Sequence, residues 1–497
     1  MVRVLLSMLV SLVLPPFLVH RLSAAEYSAW VLILQLSAYV SLLDIGLQTA
    51  IGKFVAEHDA TGNHSATRRL VSTSFTILAV ASLAGAGVVV LLSWRVPEVF
   101  HQMPAALVPS VRWGLLAVGL STAIALPFST FSCIFTGLQQ YAFPTILAIL
   151  YRTASAAALL AVLYMHGTLV QLALVMAAFN IANGFGQFLG WRKYARARVN
   201  FSFLLFDTES ASQLIKYGSI LSVWTLATLM VSGLDTLIIG HYDYKDTGFY
   251  AIASSVTNFF LLLVSSLFGP LLPAISSMQA GTTPSRMAEL CVRTTRYCSL
   301  LLCLLGMPLF FGAYPLLSLW VGRPYAASSA LYLEVLVVGN ILRQFAYPYV
   351  IAVVATGNQR LATIAAIAEA SVNLGLSIFL VQKMGAIGVA IGTLVGAVIN
   401  VSLHLGVSMD FTRSTILINR SRWVVQGVLR PLLVATPSLL LYPFWRRGDM
   451  LPVNPAMLAI WAVVTAAIAW WVVLTKEDRR ELGAGLFRLL YWRLERS

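Results

Sequence analysis

Apolar stretches of about 17 to 28 residues, separated by short polar loops, recur along the whole of this sequence. A helix rises 1.5 Å per residue and the hydrocarbon core of a bilayer is about 30 Å thick, so about 20 apolar residues cross it. Fourteen such runs are recognised, near 3–19, 28–52, 70–94, 111–136, 142–165, 168–190, 213–239, 247–272, 293–319, 330–355, 362–381, 385–408, 429–445 and 455–474. Only 10% of the 497 residues are charged and 59% are hydrophobic. A soluble domain carries about a quarter charged residues, so these charges cannot cover a water-exposed surface. The expected fold class is an all-α polytopic membrane protein.

The formal charge of +14 does not imply nucleic-acid binding, because the basic residues sit in loops between apolar runs. With successive connections on alternate sides of the bilayer, 23 of the 33 Lys and Arg residues, including the cluster Arg192, Lys193, Arg196 and Arg198, fall on the side of the N-terminus and 8 on the other. The positive-inside rule then puts both termini in the cytoplasm. The first run lacks a small-residue cleavage pattern and is read as a retained span. Cys133, Cys291, Cys298 and Cys303 form no CxxC pair, so neither a disulfide nor a metal site is expected.

The chain also repeats itself at an offset of 220 residues. Thr136-Gly137-Leu138-Gln139 closes the fourth run and Thr356-Gly357-Asn358-Gln359 closes the tenth. Gly119 falls on Gly339, Ala148 on Ala368, Asn180 on Asn400, and Ser28-Ala29-Trp30 on Gly248-Phe249-Tyr250. Two six-helix lobes follow, 1–205 and 206–410, with two further spans over 411–475. A cytoplasmic amphipathic tail follows over 476–497, where Leu482, Leu486 and Arg493 recur at helical spacing. Transporters are commonly built from such repeats, with the substrate path between the halves.

Five ionisable residues within the runs stand out: Asp44, Arg152, Asp235, Arg343 and Glu369. An ionised side chain in lipid is expensive and calls for a partner, a wet cavity or a task. Arg152 and Arg343 lie near the middle of their runs. One reading is a cationic cavity holding an anionic diphosphate headgroup, which the guanidinium fork suits. The other is structural pairing, Arg343 with Glu369 or Arg152 with Asp44. Glu369, Asp44 and Asp235 are candidate coupling acids, Glu369 because a carboxylate that alternates between an Arg and a proton can couple transport to proton flux. Asn180, Asn183 and Gln187 share one helix face, as do Asn400 and His404, and Asn373 lies one turn beyond Glu369. These amides are read as polar cavity lining or as interhelical hydrogen-bonding groups. No HExxH, GxSxG or P-loop is present, nor a pair of acids in the first outer loop. No enzyme activity, cofactor or metal is expected.

Leu22-Ser23-Ala24-Ala25-Glu26-Tyr27-Ser28-Ala29-Trp30, then Leu42-Leu43-Asp44-Ile45-Gly46-Leu47, then Phe54-Val55-Ala56-Glu57, resembles the first two spans of bacterial polysaccharide-export flippases. These belong to the multidrug/oligosaccharidyl-lipid/polysaccharide exporter superfamily. Asp235 to Gly240 followed by Thr247-Gly248-Phe249-Tyr250-Ala251 looks like the matching signature at the seventh and eighth spans. Ser28 stands where that family usually has Gly. The resemblance covers roughly residues 1–410 and implies fourteen helices in two lobes around a V-shaped, MATE-like cavity. It also implies that a polyprenyl-diphosphate-linked oligosaccharide moves from the inner to the outer leaflet of the bacterial cytoplasmic membrane. Movement would be by alternating access coupled to protons or sodium. A polysaccharide polymerase complex is a further partner it suggests. The alternatives are a multidrug or cation antiporter of the same fold, a membrane glycosyl- or acyltransferase using the same lipid, and a scramblase or scaffold role. Two midplane arginines argue against a cation site, because like charges repel.

Overall fold

The computed structural model describes residues 2–44, 46–202, 205–229, 233–278, 282–439 and 455–481, and among them the secondary structure is helical with no strand. The first helices are α1 (Val2–Arg21), α2 (Ala24–Val40), α3 (Leu47–Ala60), α4 (His64–Val99), α5 (Val108–Gly137), α6 (Ala142–Tyr164), α7 (Leu169–Gly190), α8 (Thr208–Thr228) and α9 (Asp235–Tyr242). They continue as α10 (Thr247–Phe268), α11 (Leu271–Met278), α12 (Pro284–Phe311), α13 (Ala313–Trp320), α14 (Arg323–Phe345), α15 (Tyr347–Ala355), α16 (Gln359–Met384) and α17 (Ala386–Leu403).

Ten helices among the described residues are long and apolar enough to cross a membrane, and each overlies one of the fourteen expected runs. The chain is an all-α, multi-pass membrane protein. The other four runs do not meet the same test. They fall on α1, on α8 with the bend that follows it, on 429–445, and on an apolar helix, Ala459–Val473, that is shorter. Residues 440–454, and the tail from 482 onward that was expected to lie along the membrane, are outside the described residues.

Helix starts are written in short polar residues, as unsatisfied N-terminal amides require. Ser23 accepts from the Glu26 amide while the Glu26 carboxylate accepts from the Ser23 amide at 2.8 Å, a capping box at the head of α2. Thr168 and Gln171 do the same for α7. The helix ends are less regular than the sequence repeat implies. After α5 it is Gln139 that takes the left-handed conformation, at φ 58°, whereas after α15 it is Gly357, at φ 82°. The two Thr-Gly-x-Gln motifs therefore close their helices in different registers. Gly137 serves packing instead: a Cβ there would lie 2.7 Å from the Val55 side chain and 2.8 Å from the Gly52 carbonyl, so its absence lets α5 press on α3.

Two expected continuous spans are broken. The run over 28–52 is α2 and α3 joined by a 3-10 turn, Ser41–Asp44, and by Gly46 in the left-handed region at φ 67°. The run over 213–239 bends at Leu234, and Asp235 opens a separate short helix. Periodicity could not reveal either break, since the residues flanking both are apolar. The broken backbone inside a membrane needs side-chain partners. The Gly233 carbonyl accepts from Gln35 Nε2 at 2.9 Å and from the Tyr39 hydroxyl. The Gly46 amide donates to Asp44 Oδ1 at 2.9 Å.

The chain divides into two compact units, one made of 1–255 with 374–389, the other of 256–373 with 390–497. The first has an aromatic core in which Phe75, Phe128, Phe131, Phe188 and Phe201 gather around Trp191, with Phe131 and Trp191 ring centres 5.1 Å apart. The Trp191 indole donates to the Val199 carbonyl at 3.0 Å, so the ring is buried without stranding its N–H. In the second unit Trp423 is buried and donates to Thr295 Oγ1 at 3.1 Å, fixing the segment after α17 on α12.

Candidate functional site

In the second unit α14, α16 and α17 approach closely because glycines face their neighbours. A Cβ on Gly339 would lie 3.2 Å from the Leu394 Cα, and one on Gly396 would lie 3.0 Å from the Asn373 Cβ and 3.3 Å from the Glu369 carbonyl. This small-residue packing brings Arg343, in the last turn of α14, to Glu369 on α16. Arg343 Nε donates to Glu369 Oε1 at 2.5 Å and Nη1 donates to Asn340 Oδ1 at 2.8 Å. The carboxylate side chain is 4% exposed and the guanidinium 18%, so the pair is inside the helix packing. Arg343 Nη2 is buried with no hydrogen-bond partner among the described residues. A guanidinium with Nε on a carboxylate, Nη1 on an amide oxygen and Nη2 unpaired retains donors for an anion. Asn373 and Asn400 are buried on α16 and α17. His404 is buried too, its Nδ1 3.1 Å from Ser408 Oγ.

The remaining candidates fall in the first unit. Arg152 lies on α6 with an exposed side chain. Asp44 is half-buried and engaged by the Gly46 amide, so its local work is to hold the turn between α2 and α3. Asp235 is buried and accepts from the Tyr250 hydroxyl at 2.6 Å. That bond joins the two halves of the signature at 235–251. The signature also meets its counterpart 220 residues earlier: the buried Gly248 amide donates to Ser28 Oγ at 3.0 Å, and the Tyr244 hydroxyl donates to the Ala25 carbonyl at 2.8 Å. Ser28, the residue that departs from the usual Gly, thus satisfies a first-turn amide of α10.

Asn180, Asn183 and Gln187 line one cavity of about 460 Å³ in the first unit, walled by α2, α3, α5, α6 and α7. Asn180 Nδ2 donates to Ser121 Oγ at 3.2 Å. Ser37, Gln48 and Ser129 add to its polar lining, and Phe128 to its apolar lining. The sequence reading passes over the Ser37 and Ser129 hydroxyls, because a Ser in an apolar run reads as bonding back to its own helix. Among the described residues that line the cavity, none is charged.

The family model described as polysaccharide biosynthesis protein matches residues 19–330. A comparison with curated proteins gives no match. Among solved structures the fold resembles the lipid II flippase MurJ in an inward closed conformation, with TM-score 0.73 and 14% identity over 94% of this chain and 97% of that one. It also resembles an inward-facing multidrug resistance MATE family transporter of the MOP superfamily, with TM-score 0.62 and 13% identity over 82% and 94%. A MOP superfamily transporter from Pyrococcus furiosus matches with TM-score 0.52 and 13% identity over 83% and 93%. Likeness at that identity establishes the fold, and the family match covers most of the chain: this is a member of the polysaccharide biosynthesis protein family, built on the fold of the MOP superfamily transporters.

Proposed function

We propose that this protein is a flippase that moves a polyprenyl-diphosphate-linked oligosaccharide from the inner to the outer leaflet of a bacterial cytoplasmic membrane, with both termini in the cytoplasm. The observation that carries this reading is the Arg343–Glu369 pair, held among membrane helices with one guanidinium nitrogen left open. A diphosphate is a multiply charged anion and pairs with guanidinium through parallel hydrogen bonds. Arg152, exposed on a membrane-spanning helix, is the second cation of this reading. When the diphosphate displaces Glu369 from Arg343, the carboxylate is left buried and takes up a proton. When the lipid leaves, the proton leaves and the pair re-forms. Loading and release of the anion are thereby tied to proton flux through one residue. Asp44 and Asp235 are engaged by local backbone and by Tyr250, which favours Glu369 as the coupling acid. The family description and the fold shared with a lipid II flippase support the same substrate class.

The test is to delete the protein and extract the lipid-linked glycans. Accumulation of one such lipid on the inner leaflet, relieved by the wild type and not by Arg343→Ala or Arg152→Ala at equal membrane levels, is the expected result. Unchanged export in both variants refutes a role for either arginine in holding the diphosphate. Sensitivity to cationic drugs with no glycan accumulating would instead support a multidrug exporter.

A further inference from the structure

The uncharged cavity of the first unit is left unexplained by a cationic diphosphate site. Four polar atoms of residues that line it, Ser37 Oγ, Ser129 Oγ, Asn183 Oδ1 and Gln187 Oε1, are buried with no hydrogen-bond partner among the described residues. Two of these side chains belong to residues that are almost wholly enclosed, Ser37 at 2% and Gln187 at 6% exposure. Buried polar atoms are ordinarily paired, so a group of unpaired ones on residues lining one cavity marks a place where a ligand, with small side-chain rotations, supplies the partners. The amide oxygens call for donors, and the serine hydroxyls can donate or accept. Phe128 offers an apolar ring in the same wall. The volume of about 460 Å³ is that of a small-molecule site.

We infer that this cavity is a subsite for a neutral sugar of the glycan, whose hydroxyls bond Asn183, Gln187, Ser37 and Ser129 while its C–H face lies on Phe128. This rests on the flippase reading and adds the part of the substrate the site would recognise. With no charge among the described lining residues, a neutral sugar matches the wall better than a cation or a carboxylated sugar, since an ion desolvated there meets no counter-charge in the wall itself. The cavity lies next to Arg152: Pro144 and Ala148 of α6 line it, and Arg152 follows Ala148 by one turn, a rise of about 6 Å. A diphosphate at Arg152 would therefore leave its first sugars within reach of the amides.

The experiment presents the purified full-length protein in lipid nanodiscs with free glucose, galactose, rhamnose, N-acetylglucosamine and N-acetylgalactosamine, with glucuronate as the anionic control. Saturation-transfer NMR reads binding. At least one neutral sugar should receive saturation, glucuronate markedly less, and Gln187→Leu and Ser129→Ala should each weaken that sugar by about tenfold, the effect of one lost hydrogen bond with its partner left buried. Ser129→Ala removes a single oxygen and serves as the variant that keeps the fold, checked by an unchanged melting temperature. No transfer to any neutral sugar, or transfer undiminished in both variants, overturns the subsite, leaving the cavity to water. Glycan accumulation in the deletion strain together with failure of the sugar arm removes the subsite alone. No accumulation removes the flippase reading itself.

Discussion

Replacing Glu369 by Ala isolates the energetics of the membrane pair. With Arg343 Nε 2.5 Å from Glu369 Oε1 the charge centres lie about 4 Å apart, which at an effective dielectric constant of about 20 is an attraction of about 4 kcal/mol. Neither side chain is more than 18% exposed, so solvent screening is weak. The substitution leaves Arg343 with the Asn340 oxygen as its remaining side-chain acceptor, and losing one partner of a buried pair costs about 3–5 kcal/mol. Glu369→Gln keeps an acceptor at the same place and should cost about half as much. Arg343→Met should be milder than Glu369→Ala, because the stranded carboxyl can take a proton whereas a guanidinium cannot lose one. The double variant Arg343→Met/Glu369→Leu should recover about 3 kcal/mol relative to the sum of the single losses, since nothing charged remains to be paired. Equilibrium unfolding in bicelles by steric trapping reads these differences. Additive single and double losses, or a Glu369→Ala loss below about 1 kcal/mol, would refute the view that the pair is desolvated and mutually dependent.

Ser28→Ala should destabilise the first unit by about 1–2 kcal/mol by stranding the Gly248 amide, while Ser28→Thr keeps the hydroxyl; thermal unfolding in detergent separates them. Gly396→Val should push α17 away from α16 and lower export through the displaced Glu369 even though no polar group is touched; export equal to wild type at equal membrane levels would contradict the packing account. At the C-terminal end of the second unit, Asp478 pairs with Arg296 at 2.6 Å and accepts from Tyr297 at 2.7 Å. Burial disfavours its ionised form, but the Tyr297 and Thr475 hydrogen bonds and the Arg296 charge outweigh that and hold its carboxyl below the usual range. Its contribution is therefore fully present above the ordinary carboxylate pKa of about 3.9 and lost as pH falls through the lower folded value. Hydrogen exchange at Thr475 to Glu481 should accelerate only below that range, and Asp478→Asn should open Lys476 and Arg479 to trypsin at neutral pH. Protection lost already at pH 6 would show that another group governs the anchor.

Much of this protein is legible in its one-dimensional pattern. Apolar runs of membrane length, too few charges for a water-facing surface and short polar caps such as Ser23 with Glu26 determine an all-α polytopic chain, because each is a local consequence of lipid as solvent. The Leu42–Gly46 and Asp235–Tyr250 motifs carry the family resemblance, and Arg343 and Glu369 stand out simply as charges inside apolar runs. Tertiary structure decided the rest. It broke the spans at Gly46 and Leu234, gave Asp44 and Asp235 local partners, and joined Ser28 to Gly248 across 220 residues of sequence. It also brought Arg343 to Glu369 and gathered Ser37, Ser129, Asn183 and Gln187 around one cavity. Hydrophobic periodicity records which solvent a residue meets, whereas a polar partner inside a membrane depends on which helix face lies opposite, and close packing of glycines and large side chains from distant segments sets that facing.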